Sequence, residues 1–335
     1  VAGDGVELPP ADDDAIRVIW SRGDDLWWTI STDGNSFSAP RKLALPISTA
    51  WLEGDPRLLR DESGRFVLTF VSDRDEQHLK RLYFTWSRDF VNWSAPAMIP
   101  KGASGRYEFI QDSRGRYICV PNPMDIEILS SRDGYLWEPL MGAPDLQQKA
   151  GYMEVRLLPL EDGRLELYAR TLAAGKDSEI EALPNYCQLL RFVSIDGQAW
   201  SPGTVIAEYA HGQAPWSISA ARTERGPVLL ATDGKGFPFY CQLSSEDGGK
   251  WVSSGLVTGL IGGRSSIAYH PRWGYVVAHG PFVIRSPQLP AVLARAAKLT
   301  PQPVIAKAVP GAAKKPVADR PATRPRAEVG KLTYS

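Results

Sequence analysis

A chain of 335 residues with 43% hydrophobic and 23% charged residues has a globular make-up and enough apolar mass for a sizeable core. Its 38 Lys or Arg balance 38 Asp or Glu, and no run of eighteen apolar residues occurs, so neither a nucleic-acid surface nor a membrane-spanning helix is expected. The balance is uneven along the chain: residues 298–335 hold eight basic residues against two acidic ones, leaving a mildly acidic body.

In chain order, residues 1–15, including ADDDA at 11–15, read as a solvated N-terminal extension. The chain starts at Val1 rather than Met, which reads as a processed product and favours a secreted or periplasmic setting. From residue 16 to 297 one phrase recurs: STDGNSF at 31–37, SRDFVNW at 87–93, SRDGYLW at 131–137, SIDGQAW at 194–200 and SEDGGKW at 245–251. The steps between copies are 56, 44, 63 and 51 residues. Each copy follows an alternating apolar run, such as DLWWTIS or LYFTWS, which is the period-two mark of a half-buried strand. The phrase itself is turn chemistry: Asp and Ser accept backbone N–H groups, Gly permits positive φ, and Trp folds back over the hairpin. Asp33, Asp89, Asp133, Asp196 and Asp247 are therefore read as turn-formers, not catalysts.

A second phrase precedes most copies, an apolar strand, a polar turn and another strand: PRLLRDESGRFVLTF, YEFIQDSRGRYICV, VRLLPLEDGRLELYA, ISAARTERGPVLLAT and SIAYHPRWGYVVAHG. Two strands, then the hairpin's two, make a four-stranded antiparallel unit. Five such units, plus an opening segment without an evident inner strand, predict an all-β propeller of six blades, with five as the alternative. Residues 298–335, rich in Ala, Pro and Lys, lack a periodic apolar pattern and read as a disordered tail or linker. Three cysteines at 119, 187 and 241 fit no zinc spacing, and four histidines fit no ligand spacing, so no metal and no cofactor are expected.

The repeated Ser-x-Asp-Gly turns resemble the Asp-box repeats of sialidases and related propeller proteins. Within YMEVRLLPLEDGRLELYART, Glu154 and Arg170 stand sixteen residues apart, matching the sialidase Glu and the arginine that clamps a substrate carboxylate. The resemblance implies a glycoside hydrolase acting on an anionic or substituted glycan, and the chain is expected to be a monomer. The turn is one residue shorter than the usual Asp-box and, with GDPRLL and SRDFVNWSAP, is also similar to five-bladed arabinanase and fructosidase-type glycosidases. No Phe-Arg-Ile-Pro-like stretch is present, and GRSSIAYH puts Arg264 where sialidases carry the nucleophilic Tyr. These departures leave a non-catalytic glycan- or protein-binding propeller as an alternative.

Propeller ligands sit where the inner strands begin. Those starts carry Asp55 and Arg57, Tyr107 and Glu108, Glu154 and Arg156, Trp216, and Arg264. Charges converging on one axis must pair or meet a polar ligand. Asp55 as acid and Glu154 as base or orienter are the expected catalytic pair. Arg57, Arg156, Arg170 and Arg264 are expected to bind an anionic substituent, Glu108 to line the site, and Tyr107 and Trp216 to face a sugar ring.

Overall fold

The computed structural model of the chain describes residues 6–7, 15–34, 36–46, 53–73, 80–102, 107–121, 127–140, 152–160, 162–172, 187–209, 217–223, 226–232, 238–243, 251–256, 265–270, 272–279 and 282–286. Among these residues all regular structure is strand, in six antiparallel sheets. The first sheet comprises β1 (Val6–Glu7), β2 (Ile16–Arg22), β3 (Asp25–Ser31) and β4 (Arg41–Lys42). The second holds β5 (Glu53–Arg60), β6 (Phe66–Ser72), β7 (Arg81–Ser87) and β8 (Ala97–Gly102). The third holds β9 (Glu108–Gln111), β10 (Tyr117–Val120), β11 (Ile128–Ser131) and β12 (Glu138–Leu140). The fourth holds β13 (Tyr152–Pro159), β14 (Leu165–Leu172), β15 (Cys187–Ser194) and β16 (Thr204–Tyr209). The fifth holds β17 (Ser217–Thr223), β18 (Gly226–Thr232), β19 (Pro238–Leu243) and β20 (Trp251–Leu256), and the sixth β21 (Ser265–His270), β22 (Gly274–His279) and β23 (Phe282–Ser286).

The opening sheet does have an inner strand. Val6 and Glu7 pair with Trp20 and Ile19, so part of the expected N-terminal extension is built into the sheet. Two residues without an alternating pattern give no strand signal, which is why the sequence hides it. All six sheets lie in the compact unit Val1–Pro303. The rest of the chain, 304–335, lies outside the described residues, as do Asp247, Trp216 and Arg264.

Second strands such as FVLTFVS and YICV are buried at every position because a sheet covers each of their faces. That is why they read as apolar runs and not as alternation. The core is accordingly divided into layers between consecutive sheets. Val67, Leu82 and Phe84 of the second sheet meet Phe109, Tyr117 and Leu129 of the third. Ile118 and Val120 of the third meet Val155, Leu167 and Phe192 of the fourth. Further round, Leu158 and Tyr168 meet Ile218 and Leu229, and Val228 and Leu230 meet Ile267 and Val277. A last layer packs Val276 and Ala278 of the sixth sheet on Ile16 and Val18 of the first.

The recurring Ser-Asp phrase forms the hairpin between the outer two strands of the first four sheets. Asp133 Oδ1 accepts the Tyr135 and Leu136 N–H groups at 2.8 and 2.9 Å, and Ser131 Oγ accepts that of Gly134 at 2.9 Å. Asp196 and Asp89 repeat the arrangement, and Asp33 accepts the Ser36 N–H at 2.7 Å. The closing Trp93, Trp137 and Trp200 each donate their indole N–H to the carbonyl three residues back. Gly134 has φ of 83°, and a Cβ there would meet the Phe84 ring at 2.2 Å, so both backbone and space require glycine. Phe90 holds the same place in SRDFVNW at φ 64°. Its side chain is 3% exposed against Trp28, Phe66 and Trp93, and that burial offsets a strain of order 1–3 kcal/mol.

Candidate functional site

Three inner turns are built alike. Asp61, Asp112 and Leu160 each donate their N–H to the carbonyl four residues on and accept the N–H of the glycine three residues on. Counting back from these turns aligns the strands: Arg57, Glu108 and Arg156 hold one equivalent position, and Asp55 and Glu154 another two residues earlier. The structure thus brings most of the expected residues to matching places on neighbouring inner strands. Both acid positions also follow irregular pairing, with register shifts between Gly54 and Arg57 in β5 and between Tyr152 and Glu154 in β13. Bulges of this kind re-aim side chains and gather beside functional sites.

Glu154 is 1% exposed and fully engaged. Its Oε1 accepts Arg156 Nη2 at 2.6 Å and its Oε2 accepts the Ile218 N–H of the fifth sheet at 3.0 Å. Arg156 also reaches back to Glu108 Oε2 of the third sheet at 3.2 Å, while Glu108 Oε1 takes the Phe109 N–H. One guanidinium therefore serves two carboxylates, and the triad joins three sheets. Arg57 is 5% exposed; it donates to the Tyr107 carbonyl at 3.3 Å and lies 5.3 Å over the Tyr107 ring.

Tyr107, expected to offer its ring to a sugar, is instead 0% exposed. Its hydroxyl donates to the Asp55 carbonyl at 2.7 Å and sits 3.0 Å from Thr69 Oγ1. It supports the neighbouring strand because its ring is covered by Arg57 and the layer between the second and third sheets. Asp55 is partly exposed and adopts φ of 48° directly before Pro56.

Arg170 pairs with Glu154 in the β13–β14 register, so the spacing noted in the sequence places the two side by side on one face. The residue is 6% exposed, and its Nε is buried with no hydrogen-bond partner. No carboxylate among the described residues pairs with this guanidinium. Trp216 and Arg264 lie outside the described residues, and no cluster of His, Cys, Asp and Glu fit to hold a metal occurs among those that are described.

Sequence reasoning missed Thr69 and the Ile218 N–H. Thr69 had a signal, as the one central polar residue in the apolar strand FVLTFVS, where it is 0% exposed. The backbone contact had none. In the fifth and sixth sheets the inner strands carry serines instead: Ser219 Oγ accepts the Ile267 N–H at 3.1 Å, linking the fifth sheet to the sixth as Glu154 links the fourth to the fifth.

Comparison with solved structures decides the architecture. An intramolecular trans-sialidase from Ruminococcus gnavus matches at TM-score 0.58 and 12% identity, over 83% of this chain and 89% of that one. The chain has a sialidase-like propeller fold. The same fold relates it to a GH93 α-L-arabinofuranosidase of Fusarium graminearum, at TM-score 0.60 and 11% identity over 83% and 88% of the two chains. The NanB sialidase from Streptococcus pneumoniae matches at TM-score 0.58 and 11% identity, and this chain, 83% of which is covered, spans 65% of that one. No family model and no curated protein sequence matches.

Proposed function

We propose that the chain is a six-bladed propeller glycosidase acting on a glycan that carries an anionic group. Arg170 carries this reading. Its buried Nε has no partner and its guanidinium no carboxylate among the described residues, an arrangement costly to hold, and a carboxylate or sulfate on a ligand supplies a partner with matching planar geometry. The sialidase-like fold and the resemblance of Glu154 and Arg170 to the sialidase pair support it. Six sheets in succession, with a layer between the sixth and the first, favour six blades over the five of the arabinanase type.

In this reading Asp55 is the acid that protonates the leaving oxygen, and Glu154 is the second carboxylate that glycoside hydrolysis requires. For Glu154 to face water, its Oε1 must release Arg156. Glu108 already holds that guanidinium, so the release leaves no unpaired cation.

The complete satisfaction of Glu154 favours a second reading, a propeller that binds the same anionic glycan without cleaving it. The full-length protein, assayed on chromogenic glycosides and anionic oligosaccharides beside Asp55→Asn and Arg170→Met, separates the two. A glycosidase turns over an anionic substrate, loses about 100-fold or more in kcat in Asp55→Asn, and loses its preference for the anionic substrate in Arg170→Met. Calorimetric binding without turnover, abolished by Arg170→Met, selects the binding propeller. Binding unaffected by Arg170→Met removes both.

A further inference from the structure

We propose that Tyr107 and Thr69 are positioning residues that latch Asp55 in its left-handed conformation and so set where its carboxylate stands. The inference rests on the reading of Asp55 as the reacting acid; it gives Tyr107 a role other than the sugar contact expected of it and adds Thr69, which the sequence did not single out.

Asp55 occupies a backbone state that two independent effects oppose. A non-glycine residue at φ 48° is crowded by its own Cβ, and a following proline further disfavours helical-type conformations. The register shift between Gly54 and Arg57 removes regular ladder bonding with β6 at this point, so pairing with the adjacent strand does not impose the conformation. A strained residue persists only where its surroundings over-determine it.

Those surroundings come from three strands. Tyr107, immediately before β9 on the next sheet, donates its hydroxyl proton to the Asp55 carbonyl at 2.7 Å. A phenol has one proton, so at the 3.0 Å contact Thr69 Oγ1 is the donor and Tyr107 the acceptor. The chain of donation runs from Thr69 to Tyr107 to the Asp55 carbonyl, and each bond polarises the next. Thr69 is the register partner of Arg57, and the Arg57 guanidinium lies over the Tyr107 ring while bonding to its carbonyl. Tyr107 and Thr69 are both 0% exposed and Arg57 is 5% exposed, so water does not compete for these bonds. The latch therefore acts on the backbone of Asp55, through its carbonyl.

Crystal structures of the full-length wild-type and Tyr107→Phe proteins test the latch directly. Asp55 is expected at positive φ in the wild type and at negative φ in Tyr107→Phe; positive φ in both overturns the inference, whether or not the protein has turnover. Thr69→Val, which keeps the shape and removes the relay's first donor, is expected to relax the same residue in part and provides the measurement if Tyr107→Phe does not fold. Melting temperatures give an independent check, since Asp55→Gly should melt above Asp55→Ala if positive φ is enforced, and the reverse order counts against it. On an anionic glycoside, Tyr107→Phe is expected to lower kcat about 10- to 100-fold with KM nearly unchanged, because the anion is held by Arg170. A raised KM with unchanged kcat overturns the positioning role. Relaxation of φ in Tyr107→Phe together with no turnover in the wild type upholds the latch and removes the glycosidase reading instead.

Discussion

The acids of this protein fall into two groups that differ in how they are used. Asp33, Asp89, Asp133 and Asp196 recur in one phrase, sit at exposed hairpin tips, and spend their oxygens on N–H groups within three residues. Asp55, Glu108 and Glu154 stand at the starts of inner strands, where Glu108 and Glu154 bond across to other sheets. The first group is repeated because each of the first four sheets closes its outer hairpin with it; the second varies from strand to strand, with Glu108 standing where the neighbouring inner strands carry Arg57 and Arg156. In a propeller, repetition marks what folds the chain, and departure from the repeat at an equivalent position marks what it is for.

The largest expected effect lies in the repeated group. Trp200 is 7% exposed within the layer between the third and fourth sheets, and Trp200→Ala is expected to lower unfolding free energy by about 3–5 kcal/mol in denaturant titration. Gly134→Ala comes next, at about 1–3 kcal/mol, since it combines positive φ with collision against Phe84. Changes below about 0.5 kcal/mol for both would break the division between folding and functional residues.

Acid titration sharpens it. The Leu136 and Tyr135 N–H groups hold the Asp133 carboxyl below its usual range, and the Asn92 N–H does the same for Asp89, aided by the Asn92 amide and the Val91 N–H. A depressed carboxylate adds stability that is complete above the unfolded value, about 3.9, and is lost as pH falls through the folded value. Asp133→Asn is therefore expected to melt below the wild type at pH 7 and to converge on it as pH falls through the depressed folded value. A constant gap across that range would contradict the turn role.

The smallest effect belongs to the inner site, and its sign is opposite. Arg170→Met removes a buried cation with no carboxylate partner among the described residues, so stability is expected to stay level or rise by about 1 kcal/mol. A loss of 3–5 kcal/mol, about the cost of breaking a buried pair, would show that Arg170 has a structural partner.

The hairpin chemistry was legible because it is local: Ser, Asp, Gly and Trp within seven residues determine their own contacts. The sheet order followed from it. Glu154 and Arg170 were legible as a pair only through the sialidase resemblance, and the antiparallel register is what turns their spacing of sixteen into adjacency. The role of Tyr107 was not, because it depends on a carbonyl 52 residues away in sequence. Nor was the short strand β1, whose two residues carry no period.

The inner turns also reach outward. Arg65 donates to the Tyr117 hydroxyl of the third sheet, and Gln111 accepts the Glu62 N–H. Arg114 and Arg116 donate to the Ile195 and Asp196 carbonyls of the fourth. The turns of the second and third sheets thus complete hydrogen bonds for the sheet after them, and losing one strips polar partners from the next. Amide exchange through the second, third and fourth sheets should then follow a single opening event, not fraying from sheet to sheet, which makes intermediates with one sheet detached too scarce to seed aggregation.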